Sequence, residues 1–192
     1  GRGELGILGC PPGRGKTETL INFAVSALHE GRTVLYLSVA DQGKNELVPR
    51  VDTCILEEPW SPFFTEDDLQ KRHARAIQRI DGKLLVADYT DRECSIDDIN
   101  RVLRMIPDLD LVIVDHADDV LSPYSSDPTV TRHSLRVVYM TLKKLSVKYN
   151  VPIWTASQTS EMSWWFDAAS ISDLAEAKVG KASGASIILV FS

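Results

Sequence analysis

The sequence predicts an α/β domain with a mostly parallel central sheet and helices on both faces. Three observations carry that expectation. Short apolar runs of about five to seven residues recur, the pattern of strands buried on both faces. Between them lie stretches whose apolar residues return every three or four positions. The chain's 192 residues, 44% of them hydrophobic, suit one domain with a real core.

The elements follow in order. Glu4 to Gly9 reads as the first strand. Lys16–Glu30 places Leu20, Phe23, Ala24, Ala27 and Leu28 on one helical face, and Gly31 follows as a stop. Thr33–Val39 is the second strand, and a helix over Lys44–Ile55 comes next. Thr65 with Asp68 forms a capping-box pattern before Leu69, Ala76, Ile77 and Ile80. Lys83–Ala87 is a strand, and Ser95 with Asp98 caps a helix carrying Ile99, Val102, Leu103 and Ile106. Leu109–Val114 and Val151–Ala156 are strands on either side of a helix over Thr131–Tyr149. Ala185 to Phe191 closes the series. The segments least committed to regular structure are Pro59–Phe64, Ser122–Val130 and Thr159–Ser172. No repeat or low-complexity tract interrupts the alternation.

Composition removes several classes of function. No apolar run approaches the roughly 18–20 residues of a membrane span, and the start carries no signal segment. Cys10, Cys54 and Cys94 are odd in number and widely spaced, which fits a reducing cytoplasmic compartment rather than disulfides or a metal knuckle. A net charge of −6 argues against a nucleic-acid binder held by bulk positive charge, while a local basic loop stays compatible. Both ends read as cut from a longer chain.

The first chemical signal is Gly9-Cys10-Pro11-Pro12-Gly13-Arg14-Gly15-Lys16-Thr17-Glu18, set between a strand and a helix. This is a P-loop pattern with Cys10 in place of the first glycine. Backbone N–H groups and the helix N-terminus suit a polyphosphate, so Pro12 through Glu18 are candidate ATP-binding residues. Lys16 neutralises β- and γ-phosphate charge, and the Thr17 hydroxyl ligates Mg²⁺. Lys16 is expected to face solvent when the site is empty. The second signal is Leu111-Val112-Ile113-Val114-Asp115, an apolar strand ending in an acid. A carboxylate there meets ligands at the carboxyl edge of an open α/β sheet, where Asp115 can hold Mg²⁺.

With both motifs placed, the chain resembles the RecA-like P-loop NTPase motor domain of DnaB-type hexameric replicative helicases. The T-even phage branch is its nearest likeness. The resemblance runs from about Gly3 to Phe191, over a single domain at 1–192. It rests on Gly3-Glu4-Leu5-Gly6, Gly15-Lys16-Thr17, Thr33 to Ser38, Leu111 to Asp115, Pro152 to Gln158 and Ile171 to Ala177. A small non-glycine residue at the Cys10 position is usual in that family.

The resemblance implies ATP hydrolysis with Mg²⁺, translocation on single-stranded DNA and a homo-oligomeric, hexameric ring. Primase or a helicase loader is the implied further partner. Gln158 would sense the γ-phosphate, or else simply end its strand in solvent. The stretch Thr159–Lys181 corresponds to a DNA-following channel loop, with Glu176, Lys178 and Lys181 as its phosphate-contacting candidates. Trp164, Trp165 and Phe166 either stack on bases or pack against a neighbouring subunit. Ser122–Arg136 matches the other channel loop, where Arg132, His133 and Arg136 either reach phosphate or decorate a solvated face.

Two departures stand out. The family ends its second strand with Ser-x-Glu, whose Glu orients the attacking water, whereas this chain reads Ser38-Val39-Ala40-Asp41. Asp41 is the candidate replacement, its alternative role being to cap the helix that follows. The family's arginine finger lies beyond the final strand, and the chain stops at Ser192 before it. Competing expectations are another RecA-like ATPase of the RadA or KaiC type, and an ATP-binding scaffold or loader partner with little hydrolysis. A small-molecule kinase is disfavoured because no Arg-rich lid is visible.

Overall fold

The computed structural model describes residues 1–39, 42–122, 131–158 and 184–190, without the side chains of residues 131–133. Its elements are β1 (Leu5–Cys10), α1 (Lys16–His29), β2 (Thr33–Ser38), α2 (Lys44–Leu56), α3 (Glu66–Ile77) and β3 (Lys83–Asp88). They continue with α4 (Ile96–Met105), β4 (Leu111–Asp115), α5 (Thr131–Lys148), β5 (Ile153–Gln158) and β6 (Ile187–Val190). One helical turn, Ala117–Asp119, follows β4. The strands form one sheet in the order β3-β2-β4-β5-β1-β6, and every pairing is parallel.

The two faces follow from strand alternation. Leu5, Ile7, Leu35, Leu37, Val112, Val114 and Ile153 point to one side, beneath Ile99 and Leu103 of α4 and Val138, Tyr139 and Leu142 of α5. Leu8, Val34, Tyr36, Leu111, Ile113 and Ala156 point to the other, beneath α1 and α2. Both faces of the four central strands, β2, β4, β5 and β1, are therefore dry. Each buried aliphatic side chain contributes roughly 1.5–3 kcal/mol of transfer free energy, an amount no single surface contact matches.

Local chemistry sets the boundaries. Both capping boxes form as the sequence predicts: Thr65 and Ser95 each accept from the backbone N–H three residues on, and Asp68 and Asp98 accept in return. Gly31 has φ 74°, the left-handed turn that ends α1. Strand β4 runs one residue further than the apolar run indicates, because Asp115 still pairs with Ser38. Gly6 sits beside Trp154 in the β1–β5 register, and a Cβ there would lie 2.4 Å from the indole. The space that Gly6 leaves is filled by Trp154, which meets Phe23 of α1 edge-on at 4.8 Å between ring centroids.

Among the described residues, no helix is long and apolar enough to cross a membrane.

Candidate nucleotide-binding site

β1, β2, β4 and β5 all end at one edge, and an open cleft of about 380 Å³ lies there. It is lined by Pro12, Gly13, Gly15, Lys16, Thr17, Glu18, Asp115 and Gln158 from the sequence-derived candidates, joined by Ser38, Gln42, Arg50 and His116. Residues far apart in the chain thus meet because β1 and β5 are neighbours, with Cys10 opposite Gln158. Arg14 alone of the loop candidates is exposed and outside the lining.

The loop's shape is specific. Gly13 and Gly15 have φ 72° and 82°, a left-handed conformation that side-chain-bearing residues rarely adopt, and nothing lies within 4 Å of a Cβ at either position. The first turn of α1 opens directly from Gly15. Cys10 is fully buried and burial pushes its thiol up, so the first loop position is packing rather than chemistry. Lys16 is half-buried rather than fully turned to solvent, because its Nζ donates to Pro11 O at 3.3 Å. A carbonyl holds the ammonium at the cleft until a stronger acceptor arrives.

Asp115 is held from below. The buried Tyr36 hydroxyl donates to its Oδ2 at 2.8 Å, and burial followed by the Asp115 charge drives the Tyr36 pKa far upward, so the donor proton stays in place. His116 is buried beside it, with Nδ1 2.7 Å from Asp119 Oδ2. Burial pulls the His116 pKa down, yet Asp119, Asp118 and Asp115 outweigh it and the net shift is upward. A hydroxyl, a carboxylate, a lysine and a strand-end amide around one glycine-rich loop are hard donors and cations. That set fits a polyphosphate with Mg²⁺, with Thr17 and Asp115 as candidate oxygen ligands.

Arg50 is a site residue that the sequence did not reveal. It reaches the cleft from α2 and pairs with Glu18 at 3.2 Å. No local motif marks it, because its relation to the loop is set by helix packing. Gly43 is the N-cap of α2, and the Lys44 N–H is taken by Asp88 of β3 at 2.6 Å. Asp88 thus supplies a cap at the place where Asp41 was the alternative candidate.

Asp41 and Ala40 lie outside the described residues, as do Glu176, Lys178, Lys181 and the Trp164–Phe166 cluster. The Arg132 and His133 side chains are also outside them, while Arg136 is exposed on α5.

A family profile described as the DnaB-like helicase C terminal domain matches residues 1–177. The chain belongs to this family. No curated protein matches it. A solved structure of a DnaB-like replicative helicase, described with its interactions with primase, superposes with a TM-score of 0.76 at 18% identity. That match covers 98% of this chain and 48% of the other, so the chain spans about half the length of that helicase. A second solved structure, described as an ATPase domain, superposes with a TM-score of 0.73 at 17% identity, covering 99% of this chain and 70% of that one. At these identities the likeness establishes the fold. The family is the DnaB-like one rather than the RadA or KaiC types.

Proposed function

We propose that this DnaB-like domain is the ATP-driven motor of a replicative DNA helicase, translocating on single-stranded DNA as a hexameric ring. The observation that carries the reading is the convergence of Lys16, Thr17, Asp115 and Gln158 on one cleft in a chain of this family. The reaction is in-line attack of water on the γ-phosphate, and positioning and charge neutralisation supply most of its acceleration.

Pro12 through Glu18 cradle the phosphates, and Lys16 exchanges its Pro11 carbonyl for β- and γ-oxygens. Thr17 and Asp115 would hold Mg²⁺, which supplies further neutralisation of the transferring group. Arg50 is poised beside the cleft. Its exposed ion pair with Glu18 is worth roughly 0–1 kcal/mol, so a phosphate can displace the carboxylate cheaply. Asp41 orients the attacking water in place of the family's Glu, and Gln158 reads the γ-phosphate. Arg132, Arg136, Glu176, Lys178 and Lys181 follow the DNA backbone.

The same proposal covers the domain's setting. It is one domain of a longer, cytoplasmic protein of a bacterium or a phage-infected host, nearest in its motifs to the T-even phage branch. Primase or a helicase loader is its further partner. Asp41→Asn should cut turnover by about 10²-fold while ATP affinity stays near the parent value, and Ala40→Glu should partly restore it. Unchanged turnover in Asp41→Asn would remove Asp41 from the mechanism. Tight ATP binding without turnover in the parent would favour the ATP-binding scaffold that Ala40 suggests.

A further inference from the structure

On its β4 side, β5 loses its strand partner before it reaches Gln158, while β1 stays paired with it to the end. The β4–β5 ladder stops at Val114 opposite Thr155. Beyond that point the chain of β4 turns away, and the N–H of Gln158 would otherwise face an open edge. Two side-chain stitches replace the missing rungs. The Thr155 hydroxyl donates to Val114 O at 2.7 Å and accepts from Ala117 N–H at 2.9 Å, inside the core. Further along, Asp118 Oδ2 accepts from the Gln158 N–H at 3.0 Å and from the Ser157 hydroxyl at 3.2 Å. Its other oxygen, Oδ1, accepts from the Tyr139 hydroxyl of α5 at 2.7 Å. Tyr139 is fully buried, so its ring fixes where that hydroxyl can be.

One carboxylate therefore joins three elements: the turn after Asp115, the Gln158 end of β5, and α5. Hydrogen bonds to a carboxylate are roughly twice as strong as neutral ones, and two oxygens held on opposite sides leave the group no rotational freedom. A Gln side chain makes a directional contact with phosphate only if its backbone is fixed.

We propose that Asp118 is the positioning residue that fixes Gln158 for reading the γ-phosphate, with Tyr139 as the anchor that aims its carboxylate at β5. The inference rests on the reading of this cleft as an ATP site with Gln158 as sensor. Asp118 touches neither nucleotide nor Mg²⁺ in this scheme. It acts through the backbone of β5, and α5 shifts with that backbone because both share the same carboxylate.

The test is nucleotide discrimination, the ratio of ADP to ATP dissociation constants, measured with Mg²⁺ by fluorescence competition on the purified protein. Gln158→Ala sets the size of the sensor's share. Asp118→Ala should lower the ratio by about 10-fold, and combined with Gln158→Ala it should lower the ratio no further than Gln158→Ala alone. Asp118→Asn, which keeps one oxygen for the Gln158 N–H, should retain most of the discrimination. Tyr139→Phe keeps the buried ring and removes only the hydroxyl, so it carries the test even where Asp118→Ala folds poorly. It should lower the ratio by about 3-fold. A purely structural role predicts lower thermal stability with the ratio unchanged in both Asp118→Ala and Tyr139→Phe, and that result overturns the proposal. If Gln158→Ala itself leaves the ratio unchanged, the sensor reading fails and takes this inference with it. If only Gln158→Ala lowers it, the inference alone is wrong.

Discussion

Lys16 and Tyr36 show what single residues can and cannot reveal. Lys16 is legible in sequence because the P-loop is contiguous, and its chemistry follows from spacing alone. Its half-buried rest on the Pro11 carbonyl is not legible, since that contact belongs to the folded loop. Lys16→Ala should weaken Mg·ATP binding by about 10²-fold or more while thermal stability stays close to the parent's. Calorimetric titration and a melting curve check the two halves, and normal ATP binding would remove Lys16 from the site. Tyr36 reads as one more core residue of an apolar strand. Only the fold puts its hydroxyl under Asp115, across the β2–β4 pairing. Tyr36→Phe should cost about 1 kcal/mol of stability and raise the Mg²⁺ concentration needed for half-maximal turnover. An unchanged Mg²⁺ requirement would show that Asp115 needs no support from below. Arg50, Asp88 and Asp118 escaped the sequence for the same reason. Each acts on a residue dozens of positions away, and no periodicity encodes that meeting.

At the scale of elements the sequence was far more informative. Strands buried on both faces and helices with one apolar stripe leave few architectures open, and the two capping boxes mark where their helices start to the residue. Ends were harder to place, as at β4, where a polar residue continues the ladder past the apolar run. Ser95→Ala should cost about 1 kcal/mol, the usual worth of an N-cap. The Ser95 hydroxyl, then its backbone N–H, holds the Asp98 carboxyl below its usual range. Asp88 is lowered likewise, first by the Lys44 N–H and then by Thr90. A carboxyl lowered in the folded state lends stability that is whole above about pH 4 and lost as pH falls through the folded value. Melting temperature should therefore fall as pH drops below about 4, and less steeply in Asp98→Asn, from a lower starting point. Parallel pH profiles for the two proteins would show that Asp98 gains nothing from its cap. Gly6→Ala is the packing counterpart. The new methyl would press on Trp154, so a loss of about 1–3 kcal/mol is expected, with Trp fluorescence reporting the displaced indole.

The whole molecule is a sheet that brings four strand ends to one edge and leaves a charged cleft between them. Parallel pairing makes this possible, because every carboxyl end points the same way and the β1–β5 adjacency joins the two chain-distant halves of the site. Its acidic balance is compatible with the proposed action on DNA, since a ring would gather its few cations in a channel. The measurement that bears most directly on this account is ATP hydrolysis by the full-length protein, with and without single-stranded DNA. Mg²⁺-dependent turnover is expected, strongly stimulated by the DNA and abolished in Lys16→Ala. Turnover that ignores single-stranded DNA, or ATP bound tightly and never hydrolysed, would contradict it.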